Sequence, residues 1–175
     1  MKNNEKEIKT LDNFCGIKWH ESIENALKLF TDNENVTLMD VAEIDGVIAF
    51  KFTGFTYFDE PTTGVGLGFI KNKFIKGFIV INETSKESAI NTLDRLKSKL
   101  FKNYGEPDKI DENHYRWIFD QTDSSKGNAI DLMIVNDSAV CIQYACGSLE
   151  LTENELEELI IQTGWTSDLS RVIES

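Results

Sequence analysis

Apolar residues recur along this chain in two rhythms, one helical and one alternating, and the element changes where the rhythm does. Ile23, Ala26, Leu27 and Phe30 keep helical spacing, which predicts a short amphipathic helix over 22–30 after a polar N-terminal arm at 1–13. Asp32-Asn33-Glu34-Asn35 breaks it. From Val36 the pattern alternates, giving strands over 36–44 and 47–53 joined at Asp45-Gly46, a pair that favours a tight two-residue turn. Pairing Ile44 with Val47 sets Val41 opposite Phe50 and Met39 opposite Phe52 on one apolar face, and Asp40 opposite Lys51 on the other. That ion pair is worth about 0.2–1 kcal/mol and nothing in the turn demands it, so it supports the register. Beyond Thr53 the aromatic parity flips to Phe55 and Tyr57, and Gly54 at the flip marks a bulge or bend.

A loop through Pro61 leads to a second hairpin, 65–71 and 74–81, turning at Asn72-Lys73. In that register Gly68 faces Gly77 and Gly66 faces Ile79, so one face is shaved of side chains and another group must approach it closely. The longest helical stretch, 84–104, opens on a Thr84/Glu87 capping box and stops at Gly105 and Pro107. Ala89, Leu93, Leu96 and Leu100 form its buried stripe, widened by Ile90 and Phe101. A strand carrying Trp117 follows, then a loop over 121–128 and strands 130–135 and 139–146 around Asn136-Asp137-Ser138. Only a three-residue turn sets Ile130, Leu132 and Ile134 opposite Tyr144, Ile142 and Val140. A last helix at 153–163 is signalled by Thr152 and Glu155 and by Leu151 against Leu156. The order predicts an α+β fold: a mostly antiparallel, curved sheet of about seven strands packed on a long central helix (84–104), with short N- and C-terminal helices, as one domain over 14–175.

Charge narrows the partners. A net charge of −12 repels phosphate backbones and anionic lipid, so neither nucleic acid nor membrane is expected, and a basic protein is. The homodimer stays open. No N-terminal apolar core resembles a signal peptide and no run is long enough to span a membrane, which predicts a cytoplasmic protein with its three cysteines reduced.

Candidate chemistry is sparse. Cys15 and His20 lack the further ligands of a metal site, and His114 starts a strand beside a polar loop, where a solvated histidine is ordinary. Cys15, ahead of a helix, is the thiol best placed for reactivity, while Cys141 and Cys146 sit in an apolar strand. Gly64-Val65-Gly66-Leu67-Gly68 runs into a strand rather than a helix, which excludes a phosphate loop. Asp59-Glu60 and Asp111-Glu112 read as solvated turns. No catalytic residue, metal or cofactor is expected. The remaining lead is the aromatic run Phe50, Phe52, Phe55 and Tyr57, which with Gly66, Gly68 and Gly77 would line a small apolar ligand site.

Leu96 to Leu100, Tyr104-Gly105-Glu106-Pro107, Trp117, Ile130-Asp131-Leu132 and Ile142-Gln143-Tyr144 together resemble a module of small uncharacterised bacterial α+β proteins. In these a hairpin and a helix ending in Tyr-Gly-x-Pro precede a Trp strand and a final hairpin, and Phe14-Cys15-Gly16-Ile17-Lys18-Trp19 is similar to the segment before their first helix. The resemblance implies a bacterial origin and no activity. The element order is also similar in architecture to type III secretion chaperones, and the acidity to toxin-neutralising immunity proteins. The expected function is a non-enzymatic, chaperone-like or immunity-like protein-binding module with an acidic surface. The alternative is a small-ligand binder or enzyme using the Phe50–Phe58 aromatics and the glycine face.

Overall fold

The computed structural model describes residues 11–33, 35–44, 46–119 and 128–146; the helix expected at 153–163 and the loop at 121–127 lie outside them. A small hairpin, β1 (Asn13–Phe14) and β2 (Ile17–Lys18), precedes α1 (Ile23–Asn33). Then come β3 (Thr37–Ile44), β4 (Val47–Thr53), the short pair β5 (Thr56–Tyr57) and β6 (Glu60–Pro61), β7 (Gly64–Ile70) and β8 (Lys73–Asn82). The second helix, α2 (Lys86–Tyr104), leads to β9 (Asp108–Asp111), β10 (His114–Phe119), β11 (Asn128–Val135) and β12 (Ala139–Ala145).

The fold expectation needs correction. Eight strands, not about seven, form one antiparallel sheet in the order β3-β4-β7-β8-β12-β11-β10-β9, and strand dominates the described chain. The long helix is not central. It lies on one face against β11 and β12, burying Ala89, Thr92, Leu93, Leu96 and Leu100, while Ile90 and Phe101 stay exposed. A helix with so narrow a stripe spans about 10 Å, which is two strand spacings, so the sheet runs on past it instead of wrapping it. The extra strand is β9, whose Asp-Lys-Ile-Asp sequence has no alternation to announce it.

Local chemistry sets the helix ends. The Ser85 hydroxyl accepts from the Ser88 amide at 3.1 Å, so the cap is one residue later than the Thr84 box. At the other end Gly105, at φ 85°, donates its amide to the Phe101 carbonyl, and the Trp117 indole donates to the Gly105 carbonyl at 2.9 Å. The helix stop and the Trp strand are thus one tied unit.

Two hairpins keep the expected pairing near their turns. Ile44 meets Val47, Val41 meets Phe50 and Asp40 meets Lys51, but a bulge between Leu38 and Asp40 puts Leu38, not Met39, opposite Phe52. Across β11–β12, Ile130, Leu132 and Ile134 face Tyr144, Ile142 and Val140, as the three-residue turn requires. The β7–β8 hairpin differs. It turns at Lys71-Asn72, both in the left-handed region at φ 48° and 61°, and it shifts register between Gly68 and Phe69.

The sheet has two unlike faces. Both helices bury their stripes in one cluster with Phe52, Leu67, Ile79, Trp117 and Ile142 on what is here the first face. The second face carries a separate buried cluster built only of strand residues, among them Ile75, Phe78, Val80, Met133 and Cys141. Glu60 does not read as a solvated turn residue: its carboxylate takes the Arg95 guanidinium at 2.8 Å, which holds it below the ordinary carboxylate range and ties β6 to α2.

Candidate functional site

The residues expected to line a ligand site are placed in packed layers. Leu67 pairs with Gly77 on the first face, whereas Gly66 pairs with Phe78 and Gly68 with Lys76 on the second, so the three glycines do not share a wall. A Cβ at Gly66 would fall 1.9 Å from the Phe78 ring, and one at Gly77 would fall 2.4 Å from the Phe14 ring. The Phe78 and Phe14 rings occupy the shaved positions at Gly66 and Gly77. Phe52 and Phe55 pack on Phe30, Phe50 packs edge-on against Phe69, and the Tyr57 hydroxyl meets that of Tyr144 at 2.6 Å. Burial pushes both tyrosines above their ordinary range, and for Tyr57 the Tyr144 hydroxyl adds to the shift.

The surface that stands out is the edge strand β3. Among the described residues β3 pairs only with β4, leaving its other side as the end of the sheet. Its eight residues carry Leu38 at 47% exposure, Met39 at 57% and Val41 at 49%. The bulge creates this patch. With Leu38 opposite Phe52 and Val41 opposite Phe50, both sit on the first face with Met39 as the extra residue between them, in a strand that alternation would otherwise have split across two faces. The strand's charged residues, Asp40 and Glu43, are both acidic, and the Asp40 carboxylate accepts from the Val41 amide at 2.8 Å. Such an edge offers a partner strand backbone hydrogen-bonding groups, apolar contact and negative charge together.

Sequence reasoning missed two polar arrangements. The first crosses the second face: Phe78, Gln143, Asp131 and Arg116 lie in register on adjacent strands. One Asp131 carboxylate oxygen accepts from the Arg116 Nε and meets the His114 Nε2, each at 2.7 Å, so the His114 ring is tied to a carboxylate rather than solvated. Lys76, only 6% exposed, belongs to the same face; burial pulls its amine down to about 7, against the opposing pull of Asp131. The register of β10 against β11 would have revealed the Arg116–Asp131 pair. The second arrangement is a thiol–imidazole contact, Cys146 Sγ to His20 Nε2 at 3.6 Å, between residues 126 apart in sequence. No local spacing signals it.

No group of three or more His, Cys, Asp or Glu side chains among the described residues is placed to hold a metal, and no described helix is long and apolar enough to cross a membrane. Comparison with family models, with curated proteins and with solved structures finds no match for this chain.

Proposed function

We propose that this chain is a non-enzymatic protein-binding module that takes an extended, basic segment of a partner protein along β3. The supporting observation is the eight-residue edge with Leu38, Met39 and Val41 exposed beside Asp40 and Glu43. Strand addition would supply backbone hydrogen bonds for affinity and alternate side chains for selection. Charge decides between occupants. A second copy would set Asp40 and Glu43 against their own equivalents and one net charge of −12 against another, whereas a lysine- or arginine-bearing strand relieves both. The small-ligand reading is not carried forward, because the Phe78 and Phe14 rings lie where the glycines leave room.

The test is a fluorescence-polarisation titration of the full chain with synthetic peptides alternating apolar residues with lysine, against peptides carrying glutamate instead. Saturable binding of the basic peptide, weakened by salt and by Met39→Lys, is expected. Equal binding of the acidic peptide, or no binding of either, refutes the reading.

A further inference from the structure

Cys146 and His20 are brought together by the backbone of a third element. The His20 amide donates to the Phe74 carbonyl at 2.8 Å, and the Cys146 amide donates to the Ile75 carbonyl at 3.0 Å. Two consecutive carbonyls of β8 therefore fix the two residues whose side chains meet at 3.6 Å. Their approach is also held from the flank. Trp19 stacks on Phe74 at 5.3 Å between centroids, and its indole donates to the Leu11 carbonyl at 2.7 Å. His20 itself stands at φ 70°, a left-handed conformation that non-glycine residues seldom adopt and that the two anchors sustain. A nucleophile within reach of a base whose position is fixed by a further group is the arrangement that thiol chemistry needs.

We infer that Cys146 is a nucleophilic thiol, served by His20 as base, that exchanges with low-molecular-weight disulfides. The other thiols do not share this setting. Burial pushes the Cys141 thiol up to about 12, and Cys15 lies in the turn between β1 and β2. Cys146 is only 3% exposed while His20 is exposed, so a reagent arrives from the imidazole side and must be small, which selects low-molecular-weight disulfides over protein ones. In the exchange the His20 Nε2 takes the thiol proton and the Cys146 sulfur attacks one sulfur of the disulfide. The reagent's S–S bond breaks as the Cys146–S–S–R bond forms, and the departing thiolate takes the proton from the imidazolium and leaves as a thiol. One thiol is oxidised and one half of the disulfide is reduced.

The full chain incubated with bis(2-hydroxyethyl) disulfide, and mapped by peptide mass spectrometry from about pH 6 to about pH 9, tests this. An ordinary thiol is only a few per cent thiolate at neutral pH, so proton removal by His20 is expected to make Cys146 react about tenfold faster than Cys15. His20→Asn, whose side chain tolerates the left-handed backbone but accepts no proton, should lose that advantage near neutrality and converge with the parent at about pH 9. A Cys146 rate profile in the unaltered chain that is no faster than that of Cys15, or one that His20→Asn leaves unchanged, overturns the inference. Neither outcome depends on binding at β3.

Discussion

The two edges of the eight-stranded sheet are opposite in character. At one end β9 is four residues long, with Pro107 just before it and charges at Asp108, Lys109 and Asp111. At the other end β3 is eight residues long, without lysine, arginine or proline, and exposes Leu38, Met39 and Val41. Shortness, charge and proline are the devices by which sheets discourage a further strand, and β9 uses all of them. β3 has a bulge, which bends the edge but gathers apolar side chains there. Among the described residues, β9 thus carries all three deterrents, whereas β3 is neither short nor interrupted by proline.

If stability resides in the middle of the sheet and recognition at β3, perturbations should separate. Asp131→Ala leaves Arg116 and His114 on the second face without their carboxylate, and is expected to cost about 2–3 kcal/mol in denaturant unfolding. Protection of β10 and β11 amides from exchange should fall before that of β3. Lys76 gives a pH signature. Its folded pKa of about 7 lies below the unfolded value of about 10.4, so the unfolded chain binds the extra proton between them and stability rises with pH across that window. The penalty is complete below about 7 and absent above about 10.4. From about pH 7 to 9.5, below the range where Tyr57 and Tyr144 act, Lys76 should contribute a gain of about 3 kcal/mol. The Cys141 thiol, held up at about 12 while the unfolded thiol ionises near about 8.5, takes back about 1 kcal/mol at the upper end, and Lys76→Met should remove the rise.

At the open edge the effects move from stability to binding. Val41→Pro removes an amide that bonds to the Asp40 side chain and places a ring against any added strand. It should weaken basic-peptide binding by about 2–3 kcal/mol, about a hundredfold in Kd, and Ile110→Lys on β9 should leave binding unchanged. The smallest effect is that of Met39→Lys, which at this exposure should alter unfolding by less than about 0.5 kcal/mol while costing about tenfold in affinity. Comparable loss from the β9 substitution would erase the distinction between the edges.

Much of the local structure was legible because its signals are local. The Asp45-Gly46 turn set the β3–β4 pairing out to Asp40–Lys51, and the alternating faces of β11 and β12 chose their turn. The register of β7–β8 was misread because Lys71 and Asn72 adopt left-handed angles that Asn72-Lys73 advertises equally well. Asp131, Gln143 and Lys76 alternate with apolar neighbours as solvent-facing residues do, yet all three are buried, since alternation distinguishes faces without saying which is covered. The placement of β12 between β8 and β11 depends on chain segments separated by α2 and by β9 and β10, as the His20–Cys146 contact depends on that placement. For the candidate site, alternation puts Met39 and Val41 on one apolar face with Phe52 and Phe50 and leaves Leu38 off it. The bulge that exposes them leaves no trace in composition.

That placement of β12 governs when the sheet becomes whole during synthesis. β12 is the last described strand to emerge, yet it occupies an interior position and is the strand that joins β3-β4-β7-β8 to β11-β10-β9. Until it arrives, β8, ten residues long and apolar over most of its length, is itself an unpaired margin of a half-built sheet. A nascent chain stalled before residue 139 would leave β8 and β11 unpaired as well as β3, three sticky margins instead of one, and its hazard would be association with other unfinished chains.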